Sequence, residues 1–298
     1  CAALLLALGA LQPGDRFNVI GFGSTVDRLF PQSVAYDDTA LAEARSAVGR
    51  WDADLGGTAI LRPLREVLEA PAGDLPRRLL VLTDGHAANE EACLEVARRH
   101  PEATVFTLGV GYGASDHLVR GLARAGRGQA EFVHPGERIE AALMRQMARL
   151  TTVGLLEPII DWGGLQPDLV APAQLPPLYP GTPLTVFARV PAARRAPGEG
   201  DRSFAAGSAR PVQVTLTATG PDGETRLTAA ADLGRAAADE AVPRLFAREA
   251  IRDLEEGRGA VVGGGSRQRD RQEARVKDTI VSLATRYALM SSYTSFVA

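Results

Sequence analysis

The chain has 298 residues, 45% of them hydrophobic, and a formal net charge of −3. That length holds one large domain or two ordinary ones, each with its own core. The near-neutral balance lacks the basic excess expected of a nucleic-acid binder, so no nucleic-acid partner is expected. Two cysteines, Cys1 and Cys93, are too few for a disulfide framework, and no apolar run approaches the roughly 20 residues that span a bilayer.

The opening "CAALLLALGAL" has two readings. It is either a lipid-modified cysteine or secretory h-region, against which stands the lack of a basic segment before it, or the later half of a buried helix closed by Gln12-Pro13-Gly14. From there to about residue 150, apolar β-like runs alternate with helical patterns. "RFNVIGFG" (16–23), "RLLVLTDG" (78–85) and "ATVFTLGVG" (103–111) are short, apolar and end in glycine, as buried parallel strands do. Helical spacing of apolar residues marks 38–51, 59–70, 89–100, 115–126 and 137–150. This alternation predicts a doubly wound α/β sheet with helices on both faces over 1–150. In such sheets ligands bind outside the carboxyl ends of the strands, and Asp84 stands at one of those ends.

Beyond residue 150 the texture changes. "LVAPAQLPPLYPGTPL" is too rich in proline for a long helix. "LTVFARV" (184–190) and "VQVTLTATGPDGETRLTAAA" (212–231) alternate, and the second carries a Pro-Asp-Gly turn, so an antiparallel hairpin is expected. Residues 151–235 are therefore read as a β-rich region with a disordered insertion at about 191–211. Residues 236–298 are read as a helical region, with helices at 243–257 and 278–290 and a disordered loop at about 257–272.

"DLGGTAILRPL" places Thr58 in a glycine turn before a helix, and Asp84 follows the next apolar strand in "VLTDGHAANEE". A hydroxyl and a carboxylate on neighbouring loop tips suit a hard divalent cation, which takes oxygen ligands. From spacing alone the plainer reading is a helix N-cap and a turn residue. "GVGYGA" fits a loose dinucleotide fingerprint, but it comes late in the series and Asp116 follows it, so glycines easing a strand-to-helix turn are the simpler account. No Gly-x-Ser-x-Gly elbow is present. His86, His100, His117 and His134 show no metal-ligand spacing. Cys93 lies on a helical apolar stripe and reads as a core residue rather than a nucleophile. Asp161 and Trp162 in "IIDWGG" read as a turn and its packing anchor.

Taken in order, "ALLLALGALQPGDRFNVIGFGSTVDRLF", "GGTAILRPL", "RLLVLTDG" and "TLGVGYGASDHLVRGLARAGRGQAEFV" resemble von Willebrand factor type A domains. The likeness is strongest to the group of inter-alpha-trypsin inhibitor heavy chains and related proteins that pair this domain with an N-terminal VIT domain. "VPRLFAREAIRDLEE" and "VSLATRYALMSSYTSFVA" resemble that group's following segment. The resemblance implies a metal-ion-dependent adhesion site on three loops, in which Thr58 and Asp84 match the threonine and the Thr-Asp-Gly aspartate. The third element, an Asp-x-Ser-x-Ser motif on the first strand, is absent from these residues. The chain is therefore expected to begin one strand late, without its VIT domain.

The expected function is that of a protein-binding module, not an enzyme. The resemblance implies Mg²⁺, with Mn²⁺ or Ca²⁺ as alternates, held by Thr58, Asp84 and upstream serines and completed by a partner's Asp or Glu. In this chain the ion is expected to bind weakly or not at all. Three rival readings are an intramolecular scaffold, a nucleotide-dependent enzyme, and a non-catalytic part of a larger enzyme such as an ADP-ribosyltransferase.

Overall fold

The computed structural model describes residues 2–49, 59–71, 73–191, 212–220, 223–231, 239–257 and 266–295, without the side chains of 2, 3, 230, 231 and 266–272. The chain divides into two units, Cys1–Gly154 and Leu155–Ala298.

In the first unit, α1 (Ala2–Leu8) buries Ala7 and Leu8 in two different apolar clusters. Four short strands follow: β1 (Arg16–Phe17), β2 (Ile20–Phe22), β3 (Val26–Arg28) and β4 (Val34–Ala35). They pair antiparallel, β1 with β4 and β2 with β3. The parallel strand expected over 16–23 is thus two short antiparallel pieces. Asn18 accounts for the break. Its side-chain oxygen accepts from the Val19 and Phe30 N–H groups at 2.8 and 3.1 Å, and its amide donates to the Phe30 carbonyl at 2.8 Å. A side chain therefore does locally what a backbone ladder would do. The direction follows from the short turn at Gly23–Thr25, because a tight turn can only return a strand antiparallel. Phe17 meets Phe30 edge-on, with ring centroids 5.8 Å apart.

Next come α2 (Asp38–Val48), α3 (Leu61–Leu68), β5 (Arg77–Thr83), α4 (Glu90–Arg99), β6 (Ala103–Val110), α5 (Asp116–Ala125), β7 (Arg127–Val133) and α6 (Ile139–Thr151). The Asp37 carboxylate caps α2 through the Ala40 N–H at 2.7 Å, and Gly49 ends the helix. Strands β5, β6 and β7 form a parallel sheet in that order. Its side chains alternate between two cores. Leu79, Val81 and Val105 pack with Leu64, Leu68, Leu94, Leu118 and Leu122 of α3, α4 and α5. Leu80, Leu82 and Leu108 pack on the other face with Ala7 of α1 and Leu143 and Met147 of α6. Helices on both faces of a parallel sheet are the doubly wound α/β arrangement that the alternating pattern predicts. Each fully buried leucine contributes about 1.5–3 kcal/mol.

Strand β7 is held partly by polar groups. Glu131 accepts from Arg145 at 2.6 Å and from Arg149 at 2.7 Å. The Gln146 side chain, 0% exposed, donates to the Thr107 carbonyl at 2.9 Å and the Gln129 carbonyl at 3.0 Å. It thereby ties β6 to β7 near the register shift at Val105/Thr107.

The second unit contains β8 (Leu156–Asp161), β9 (Leu169–Ala171), β10 (Phe187–Arg189), β11 (Val212–Gly220), β12 (Gly223–Ala231), α7 (Ala241–Glu255) and α8 (Ser266–Tyr287). The expected hairpin is present as β11–β12, which extends to β8 in the order β12–β11–β8. At the start of the β8–β9 connection the Asp161 carboxylate accepts from the Gly163 N–H at 2.9 Å. Gly163 has φ +61°, and a Cβ there would overlap the Gln213 carbonyl, so the position requires glycine. Helices α7 and α8 share a core of Phe246, Ala250, Ile251, Ile280 and Leu283 with Ala171 of β9.

Of the loop expected at 257–272, residues 258–265 lie outside the described residues, and 266–272 are instead the start of α8. "SRQRDRQEARVK" is polar apart from Ala274 and Val276, and it is also composed mostly of good helix formers. The insertion expected at 191–211 lies, after Pro191, outside the described residues.

Candidate functional site

The carboxyl-terminal rim of the parallel sheet is built by two loops that brace each other. Strand β5 ends at Thr83, which is 7% exposed. The backbone turns there because the Thr83 hydroxyl and the Gly85 backbone are 3.4–3.5 Å apart. Asp84 therefore leaves the sheet at its edge and is exposed. From the next strand, the loop 111–115 comes alongside. The Ser115 N–H donates to the Gly85 carbonyl at 3.4 Å, and a Cβ on Gly113 would overlap the Asp84 carbonyl oxygen.

The glycines of "GVGYGA" are explained by the same packing. Gly109 faces the Phe132 ring, which a Cβ would approach to 2.8 Å, and Gly111 has φ +76°. The Gly111 N–H donates to Val133 at 2.8 Å. Ser115 caps α5 through the Leu118 N–H at 3.2 Å, with Asp116 in its first turn.

Thr58 lies outside the described residues. Its neighbour Ala59 is described, and the Ala59 N–H donates to the Gly23 carbonyl at 3.2 Å, tying this point to the β2–β3 turn. Ala59, Ile60 and Leu61 line a cleft of about 620 Å³ together with His86, Ala87, Ala88 and Asn89 from the loop that Asp84 opens. The residues following Thr58 and those following Asp84 thus face one hollow. Arg62, Arg65 and Glu66 of α3 form its polar wall. Hydrogen bonds from Arg62 and then Arg28 hold the Glu66 carboxyl below the usual carboxylate range.

Cys93 borders the cleft and is 0% exposed. Burial, followed by the charge of Glu90, pushes its thiol up to about 11. Such a thiol is protonated at neutral pH and is a poor nucleophile. His86 lies 3.8 Å from Glu90 and His117 3.8 Å from Glu91.

Sequence reasoning overlooked Tyr112. It lies between Gly111 and Gly113 in the rim loop and is 88% exposed. The one available signal was an aromatic residue set between glycines at a strand end.

Residues 1–132 match the family model described as the von Willebrand factor type A domain. This segment is a von Willebrand factor type A domain. Over 191 residues the chain is 37% identical to human von Willebrand factor A domain-containing protein 5B1, covering 62% of this chain and 16% of that protein. A von Willebrand factor A domain-containing protein of Dictyostelium discoideum is 30% identical over 300 residues, covering 99% of this chain and 34% of that one. The chain thus spans about a third or less of the length of these relatives. Among solved structures, the von Willebrand factor type A protein from Catenulispora acidiphila superposes with a TM-score of 0.51 at 17% identity, covering 96% of this chain and 74% of that one. That likeness supports the fold.

Of the two residues that the resemblance matches to a metal site, Asp84 is described and Thr58 is not. The Asp84 carboxylate suits a hard cation in kind, but one donor does not meet the six positions that Mg²⁺ requires. Among the described residues no group of three or more His, Cys, Asp or Glu side chains is placed to hold a metal ion. The described residues alone therefore do not fit a complete metal centre. No helix among them is long and apolar enough to cross a membrane.

Proposed function

We propose that this A domain is a protein-binding module without catalytic activity, and that its binding face is the rim carrying Asp84. The supporting observation is the exposed Asp84 carboxylate, presented at the carboxyl end of a parallel sheet by a backbone that Gly113 and Ser115 brace. Fixed polar groups at such an end are where doubly wound sheets bind ligands.

In the finer form of this reading, Asp84 and Thr58 contribute to a Mg²⁺ site. Further oxygen donors come from the remainder of a longer protein, and the exchangeable position goes to a partner's Asp or Glu. A pairing of this domain with a VIT domain, as in the inter-alpha-trypsin inhibitor heavy-chain group, belongs to the same proposal. Charge complementarity at a rim supplies orientation and partner choice more than affinity.

The test is surface plasmon resonance of the immobilised chain against peptides carrying a single Asp or Glu, in 10 mM Mg²⁺ and then in EDTA. Wild type should bind weakly in Mg²⁺, because this chain itself holds the ion weakly, and less in EDTA, and Asp84→Ala should lose the Mg²⁺-dependent part. Equal binding by wild type and Asp84→Ala would leave the rim without a role and favour the scaffold reading.

A further inference from the structure

The second unit has an open sheet edge. Strand β8 pairs with β11 along one side. Just before it, Leu155 and Leu178 exchange both backbone hydrogen bonds at 2.9 Å. From Leu156 to Asp161 no other strand pairs with β8 among the described residues. A hollow of about 460 Å³ borders this stretch, lined by Glu157–Ile160 and Trp162 and by Val170 and Pro172–Leu175 of the next segment. Consecutive strand residues point alternately to opposite faces, so a space that four of them border lies along the strand's edge.

Ile159 is 68% exposed. Its partner across the ladder is Thr217, so β11 gives it no apolar neighbour. Asp161, two residues on and exposed, shares its face. Glu157 carries the one charge among the residues lining the hollow. Pro158, which has no N–H, and the register shift between Thr217 and Thr219 blunt the first half of the edge. Ile159–Asp161 is therefore the stretch left able to pair. Charge decides the occupant. Strand β8 holds Glu157 and Asp161 and no basic residue. A second copy pairing antiparallel about Ile159 would set Asp161 opposite Glu157, and like charges across a ladder repel. A segment with Lys or Arg two residues from an apolar side chain suits both the charge and the exposed Ile159.

We infer that the β8 edge is a docking site for an extended basic segment of a partner protein. The segment adds as a strand beside Ile159–Asp161, seats an apolar side chain against Ile159 and places Lys or Arg against Asp161 and Glu157. Main-chain hydrogen bonds hold such a strand, and the side chains select it.

The experiment uses nine-residue peptides centred on Lys-Thr-Val-Thr-Lys, with Glu for both Lys, with Ser for Val, or with the central amides N-methylated. Binding to the 298-residue chain is measured by fluorescence anisotropy. The Glu peptide should bind about tenfold more weakly than the Lys peptide, the order expected of two cross-strand charge pairs. The N-methylated peptide should not bind, since it cannot join a ladder. Asp161→Asn keeps an oxygen for the Gly163 N–H and should narrow the preference for Lys. Ile159→Thr should abolish the preference for Val over Ser, with circular dichroism showing both variants folded. Asp84→Ala should bind as wild type does, which separates this edge from the rim. No binding by wild type, equal binding of the N-methylated peptide, or unchanged preferences in both β8 variants would overturn the inference. Self-association of the wild-type chain in sedimentation, lost in Ile159→Thr, would make a second copy the occupant and overturn it as well.

Discussion

Gly113 lies so close to Asp84 that a β-carbon on the glycine would overlap the aspartate's carbonyl oxygen. The loop after β6 is in this way a brace for the loop after β5. Gly113→Ala should push the Asp84 loop outward and cost about 1–3 kcal/mol, as overpacking of backbone does. Urea denaturation of the purified variant measures the cost, and an unchanged midpoint would show that the two loops do not brace each other.

Gln146 performs the same kind of service inside the sheet, with one amide donating to the carbonyls of Thr107 and Gln129. Gln146→Leu fills the space but removes both donors. Each buried carbonyl left without a donor costs about 1–3 kcal/mol. The variant should therefore unfold at clearly lower urea concentration, while Arg120→Ala, which breaks an exposed pair with Asp116, should change the midpoint little.

Cys93 yields a prediction with a pH sign. Its thiol has an ordinary value of 9.0 and is pushed up to about 11 by burial and then by Glu90. Between those values the unfolded chain has lost the proton and the folded chain keeps it. The slope of unfolding free energy against pH is then negative, and this group's contribution to stability falls as pH rises from about 9 to about 11. Cys93→Ala should show a flatter loss over that window. At pH 8, in a Cys1→Ser background that leaves Cys93 as the one thiol, the native chain should resist Ellman's reagent and react once urea unfolds it; rapid native reaction would contradict the burial of Cys93.

Mg²⁺ should stabilise this chain only slightly, because the described residues provide one carboxylate donor. At a Kd near 10 mM, 10 mM Mg²⁺ adds about 0.4 kcal/mol, which raises Tm by no more than about 1–2 °C. Differential scanning fluorimetry decides it. A rise beyond about 5 °C would mean that the chain already holds a nearly complete oxygen set.

Much of the first unit was legible because its strands and helices are marked by composition. The apolar run Leu79–Leu82 ends in Thr-Asp-Gly, and Leu118, Leu122 and Ala125 repeat at helical spacing. Such patterns report burial but not strand direction. The run 16–23 therefore resembled a parallel strand, although Asn18 divides it and the Gly23–Thr25 turn reverses it. Strand β7 escaped notice because Glu131 interrupts its apolar character, and only the three-dimensional fold brings Arg145 and Arg149 to it. The first turns of α8 read as a loop because polar composition suits a helix as well as a disordered segment. At the site, Asp84 was legible from the Thr-Asp-Gly at a strand end, and Thr58 lies outside the described residues. Tyr112 was not legible, since exposure at one position is a property of the folded surface.

The most direct test of the rim is amide chemical-shift mapping of the ¹⁵N-labelled chain, titrated with a single-Asp peptide in 10 mM Mg²⁺. The expected result is a set of perturbations confined to Ala59, Asp84–His86 and Gly111–Ser115, absent in Asp84→Ala. Perturbations clustered instead at Arg77, Ala103 and Arg127, the opposite ends of the same strands, would place the binding face elsewhere and contradict the assignment of Asp84.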